Sequence, residues 1–346
     1  MVPENDQFSL KLIGRTNFDF GSYFEEHGNT EHADNGVAVN DTRLGVAGKF
    51  LDKWDYKIEI CFDKKAISFR DVLIKYNFNS KHHLQFGNFF MPYGMKPLGL
   101  AYKFIDDATV DNALCPSRRM GVAYLLTTDH FNFTGGIFSD GNIDDGNAQF
   151  DKGLNLVAKA IYRPIINETT VLHFGLAPNY VNSPNAGSFS GVVPENFTTE
   201  GRKTISDGFN APHYSRYEAE MIFIQKRFLL EMHYQGAACE PRSADDRYHL
   251  GGFLAQTSFL LIGEQQNYNK ATGLCQNASA KNLELLARYD YLDLHAGGHQ
   301  SDFTIGLNYF FSKHFNMKLN YAYTKAEIGD AENSYNTIQV RAQFSF

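Results

Sequence analysis

From Asn282 to Phe346 the chain reads as four consecutive segments in which apolar and polar residues alternate one by one. Phe303, Ile305, Leu307, Tyr309 and Phe311 share one face, and Thr304, Gly306 and Asn308 the other. Met317, Leu319, Tyr321 and Tyr323 alternate with Lys318, Asn320 and Ala322, and Ile338, Val340, Ala342, Phe344 and Phe346 with Gln339, Arg341, Gln343 and Ser345. A side-chain period of two puts each set on one side of a sheet. The apolar face is continuous and aromatic at its ends, and it runs to Phe346. Apolar outside, wet inside and aromatic at both rims is the pattern of a transmembrane β-barrel. A soluble β-rich binding protein, with its apolar stripes packed against each other, satisfies the same alternation and is the competing fold.

The rhythm recurs upstream. Strands are read at 7–20, 42–50, 54–62, 68–78 and 82–91, then at 119–127, 130–138, 154–163 and 169–179. Further ones follow at 213–225, 226–238 and 248–262. With the C-terminal four, the chain is read as all-β: a single transmembrane antiparallel β-barrel over 1–346, with about sixteen strands, the size that leaves an aqueous bore. Connections support it, because such barrels alternate short periplasmic turns with long external loops. Short turns at 51–53, 79–81, 128–129, 164–168, 225–226 and 312–314 fall on one side. Long loops at 21–39, 92–117, 139–150, 180–212 and 239–246 fall on the other. Residues 263–281 break the rule, being long on the short-turn side.

Composition excludes several classes. Phe (30) and Tyr (19) are abundant, as strands and interfacial belts require. No apolar run approaches the roughly 20 residues of a membrane-spanning helix. A formal charge of −7 without a basic block argues against nucleic-acid binding. Cys61, Cys115, Cys239 and Cys275 lack zinc spacing, so no metal or cofactor is expected, and three complete disulfide pairings or isolated thiols all fit. The opening Met1-Val2-Pro3-Glu4 is polar and short, as expected once an export signal has been removed.

Particular stretches resemble a known family. Trp54-Asp55-Tyr56-Lys57-Ile58-Glu59 lies in an early strand, and Phe86-Gly87-Asn88-Phe89-Phe90-Met91-Pro92-Tyr93-Gly94 precedes the long loop. Pro116-Ser117-Arg118-Arg119-Met120-Gly121 leaves that loop, and Leu285-Leu286-Ala287-Arg288-Tyr289-Asp290-Tyr291-Leu292-Asp293-Leu294 lies near the end. In order and spacing these are similar to the phosphate-selective porin O and P family of bacterial outer membranes. The resemblance implies a homotrimer of sixteen-stranded barrels whose third external loop, here about 92–117, folds inward as a constriction. It also accommodates an inward bend of the long periplasmic turn at about 263–281.

Strand parity places Arg15, Arg43, Lys159, Arg288, Lys318 and Arg341 on the lumen face, while Lys96, Lys103, Arg118 and Arg119 lie in or beside the proposed constriction. Fixed cations in a narrow pore lower the barrier for phosphate-like anions, and Arg binds oxyanions through a planar fork. The alternative role is plain wetting of the wall. Asp19, Glu59, Asp71, Glu220, Glu231, Glu284 and Asp290 share the same face, so pairing offsets part of the field, and the loop carries Asp106, Asp107 and Asp111. The expected function is passive diffusion of small hydrophilic, anion- or phosphate-like solutes. A barrel enzyme of lipase or protease type is the rival; no Gly-x-Ser-x-Gly supports it. Expected partners are outer-membrane lipid, lipopolysaccharide and the permeating solutes.

Overall fold

The computed structural model describes residues 8–28, 35–63, 66–95, 102–144, 153–183, 187–192, 203–209, 213–240 and 248–346. Its strands are β1 (Phe8–His27), β2 (Gly36–Phe50), β3 (Trp54–Asp63), β4 (Ala66–Asn77), β5 (His82–Phe90), β6 (Arg118–Thr127), β7 (Phe131–Ser139), β8 (Leu154–Ile166), β9 (Thr170–Asn182), β10 (Gly187–Val192) and β11 (Lys203–Phe209). They continue as β12 (His213–Gln225), β13 (Phe228–Glu240), β14 (Tyr248–Ile262), β15 (Asn267–Asn269), β16 (Leu274–Gln276), β17 (Asn282–Asp293), β18 (His299–Phe310), β19 (Phe315–Ile328) and β20 (Ala331–Ser345). One helix, α1 (Thr109–Leu114), lies between β5 and β6.

Sixteen of these strands close into one antiparallel barrel, and the pairs β10–β11 and β15–β16 form separate hairpins. The last strand returns to the first, with Arg15 opposite Ser345 and Phe18 opposite Ala342. Gly14 N–H donates to the Phe346 carbonyl at 3.1 Å, and Phe346 N–H to the Gly14 carbonyl at 3.0 Å. A β-carbon at Gly14 would stand 2.4 Å from the Phe346 ring, so a larger residue at the seam would displace that ring. Closure leaves no sheet edge unpaired, which is the condition for crossing a bilayer with strands.

The two faces separate as the alternation predicts. Leu319 is 47% exposed on the outside while its neighbour Lys318 is 1% exposed on the inside. Phe303, Ile305, Met317 and Phe344 join the exposed set; Asn308, Asn320, Gln339 and Gln343 are buried. Aromatic rings line both rims. At the short-turn end Trp54 meets Phe50 and Tyr76, and Phe344 meets Phe346. At the long-loop end Phe253 packs on Tyr289 and Tyr291.

Three differences from the sequence reading concern the long-loop end. β1 runs to His27 and β2 begins at Gly36, so the first loop is shorter than 21–39. β19 and β20 likewise meet near 328–331. Beyond the lipid belt an outward residue no longer has to be apolar, so hydrogen-bonded strand continues after the alternation fades. Within 180–212 the hairpin β10–β11 forms, which the Asn/Ser/Gly/Pro composition did not signal. All four cysteines are buried and none forms a disulfide.

Candidate permeation pathway

The segment between β5 and β6 carries Pro92, Pro97 and Pro116, which cannot donate to a sheet ladder, so the chain leaves the wall after Phe90 and rejoins it opposite, at Arg118. Between those points its polar groups are taken up by inward-facing side chains of distant strands. Glu218 on β12 accepts from Gly94 N–H at 2.6 Å, and Lys159 on β8 donates to the Gly94 carbonyl at 2.9 Å. Gly94 has φ +73°, and a β-carbon there would lie 2.5 Å from Cys115 Sγ. Asp290 on β17 accepts from Thr109 N–H at 2.8 Å, and Asp302 on β18 accepts from the Thr109 hydroxyl at 2.6 Å. Gln235 on β13 donates to Asp111 at 2.8 Å.

The basic side chains of this half serve the same segment. Arg341 holds Asp19 through two 2.6 Å bonds and donates to the Ile105 carbonyl at 3.0 Å. Arg288 donates to the Asp106 carbonyl at 2.9 Å and lies 4.7 Å above the Phe104 ring. Lys318 donates to the Tyr102 carbonyl. Lys103 is itself buried, paired with Glu284, and 3.0 Å from the Gln266 side-chain oxygen.

Gln266 belongs to the long turn after β14, whose β15–β16 hairpin also meets inward-facing residues. Arg163 donates to the Tyr268 hydroxyl at 3.2 Å, which faces His173 Nδ1 at 2.9 Å. His173 Nε2 stands 3.0 Å from Glu220, which also takes Lys159 at 2.7 Å. Cys275 packs with Val171, Ile222, Ile224 and Leu229. At the opposite end β10 lies against α1, and β11 against residues 295–297, β18 and β19. Hairpin, loop and turn thus rest mainly on the arc from β8 to β20, with further contacts from the turn to Asn132 on β7 and from Met91, Tyr93 and Cys115 to Phe89, Ala123 and Phe138.

The other arc, from the lower part of β1 to β6, keeps its basic side chains partly exposed, while Asp41 and Glu59 between them are buried. Arg15 pairs with Asp41, which accepts from Arg43 at 2.5 Å. Arg43 reaches Glu59 at 3.3 Å, Glu59 is 3.4 Å from Lys57, and Lys57 holds Asp71 at 2.7 Å. Arg118 closes the series on Asp71 at 2.6 Å and stacks 4.1 Å above Phe90. Two local irregularities build this ladder. Asp41 has φ 51°, a left-handed conformation that Asp tolerates, beside the register shift between Arg15 and Asn17. A bulge between the Ile58 and Ile60 pairings inserts Arg70 and Asp71 opposite Glu59. Arg70 donates to Cys61 Sγ at 3.3 Å.

The basic residues singled out from sequence thus fall into two groups. Arg15, Arg43, Arg118 and Arg119 lie on the partly exposed arc, with Arg119 donating to the Ser117 hydroxyl at 3.0 Å. Lys103, Lys159, Arg288, Lys318 and Arg341 are buried on the other arc. Lys96 lies outside the described residues. The sequence reading passed over Asp41, Lys57 and Arg70. An Asn40-Asp41 pair inside an otherwise alternating strand was the one local signal of the irregularity. Among the described residues no group of His, Cys, Asp and Glu is arranged to hold a metal ion.

No curated protein matches the chain by sequence. Among solved structures it is similar to an anion-selective porin from Comamonas acidovorans, at 14% identity and a TM-score of 0.63, covering 98% of this chain and 100% of that one. OmpT, an outer-membrane protein of Vibrio cholerae solved in a trimer form, also gives 14% identity and 0.63, over 99% and 100% of the two chains. The outer-membrane channel DcaP of Acinetobacter baumannii gives 12% and 0.63, over 99% of each. At these identities the likeness is one of fold. The family model described as phosphate-selective porin O and P matches residues 10–346. The chain therefore belongs to the phosphate-selective porin O and P family and is an outer-membrane porin, a β-barrel channel for passive diffusion of small solutes.

Proposed function

We propose that the channel favours anions, and that solutes pass along the partly exposed arc while the 92–117 loop narrows the bore from the opposite side. The observation that carries this reading is the ladder. Arg15, Arg43, Lys57 and Arg118 alternate with Asp41, Glu59 and Asp71, and Arg70 and Arg119 stand beside them, so cations outnumber carboxylates along the accessible wall. Each carboxylate holds its arginine or lysine extended against the wall while leaving donors directed at water. An anion entering the bore exchanges hydration for these donors at successive positions and is held only weakly at each, as conduction requires. Acidic residues in the loop are engaged by the packed arc: Asp111 takes Gln235, and Asp106 takes Gln339. No chemical step is involved, and the barrel works as a homotrimer, the form in which the Vibrio cholerae protein is described.

A planar bilayer holding the purified protein between unequal KCl solutions provides the test. The expected reversal potential has the sign of chloride preference. A potassium-favouring potential contradicts anion preference, and an absence of stepwise conductance contradicts a channel altogether. Mass measurement in detergent by light scattering is expected to give three chains per particle.

A further inference from the structure

On the short-turn side a cavity of about 400 Å³ lies between β1 and the returning arm of the 263–281 turn. Its walls are Arg15, Tyr102, Lys313 and the run from Gln276 to Ala280. Two features distinguish it from the rest of the bore. Its charged lining residues, Arg15 and Lys313, are both cations, with no carboxylate in the lining among the described residues. Their donors are also largely uncommitted. Arg15 gives one terminal nitrogen to Asp41 and has no other acceptor among the described residues. Lys313, exposed in the turn before β19, has no acceptor among them. The remaining polar lining is uncharged: the amides of Gln276 and Asn277, the Ser279 hydroxyl, and Tyr102.

We infer that this cavity binds hydroxylated organic anions of monosaccharide size, such as sugar phosphates and sugar acids. Small-molecule sites occupy roughly 300–1,000 Å³, so a bare inorganic oxyanion leaves most of this space to water. The two cations supply charge-assisted bonds to a phosphate or carboxylate. Amides and hydroxyls, each able to donate and accept, match sugar hydroxyls, and the methyls of Ala278 and Ala280 face the less polar side of a ring. The site rests on the anion-favouring reading of the channel and adds to it a choice among anions at the periplasmic exit.

The test is block of chloride current through the intact porin in a planar bilayer, with glucose 6-phosphate, gluconate, glucose or inorganic phosphate added to each side in turn. Glucose 6-phosphate and gluconate are expected to block at concentrations at least about tenfold below glucose or phosphate. Lys313→Gln is expected to raise the half-blocking concentration of glucose 6-phosphate about tenfold, with Gln276→Ala raising it less. Lys53→Gln, in an exposed turn away from the cavity, should leave it unchanged. Equal block by phosphate and glucose 6-phosphate, equal block by glucose, or insensitivity to Lys313→Gln each overturns the inference. If the KCl reversal potential still favours chloride in that case, the channel reading stands without it. A potassium-favouring potential removes both.

Discussion

Arg43 and Arg341 are both arginines on the inner face of one barrel, and their surroundings give them opposite work. Arg43 is 13% exposed and lies between Asp41 and Glu59 on the partly exposed arc. Arg341 has no exposed surface, grips Asp19 with two bonds and binds a loop carbonyl with a third. A charge left facing water can act on a passing ion. One that has been buried and paired fixes the backbone packed over it, and removing its partner is expensive. What separates them is which arc the loop, the turn and the external hairpin lie on, not residue type or strand parity.

The sharpest way to break that distinction is Arg341→Met. It leaves the Asp19 carboxylate buried beside Asn40 and releases the Ile105 carbonyl, at an expected loss of about 3–5 kcal/mol. The loss should appear as a lower temperature for the heat-induced mobility shift of the folded barrel in detergent, with noisier single-channel currents. An unchanged transition would make the packed arc no more than a wetted wall. Arg43→Ala should do the reverse. Asp41 keeps Arg15, and Glu59 keeps Lys57, so the thermal transition should move by no more than about 1 kcal/mol. Its reversal potential should move toward cations, and one that stays put would remove Arg43 from selection.

A smaller effect sharpens the boundary between the arcs. Burial pushes the Asp106 carboxyl up to about 7, against the opposing pull of Gln339, Arg341 and Arg288. The folded value lies above the ordinary one, so the fold retains a proton that the unfolded chain gives up. The associated stability is full below the usual carboxylate range and is lost as the pH rises to about 7. Ionisation also places a negative charge in the loop. Chloride preference should therefore be somewhat greater at pH ~5.5 than at ~8.5, and Asp106→Asn should flatten the difference. Equal pH dependence in both proteins would assign it to another group.

Much of the barrel could be read from the residues because one rule repeats along it. Each strand must be greasy on one side and wet on the other, and Phe303 to Phe311 or Leu319 to Tyr323 show that locally. The strand count and the order of short turns followed from the same rule. The division of the basic residues could not follow from it. Lys103 and Glu284 are 181 positions apart, and Thr109 and Asp302 are 193. Parity states that a side chain points inward, but whether it meets water or a folded loop depends on contacts of that length. Arg70 was obscured for a different reason. A bulge suspends the period of two, so a pattern that turns Asp71 inward has no place for Arg70 beside it.

The left-handed turn at Asp41 has a last consequence. Its carboxylate is a shared clamp, with one oxygen on Arg15 and the other on Arg43. Arg15 and Arg43 stand opposite each other in the β1–β2 register, so this one carboxylate fixes two guanidinium groups at the same level of the wall.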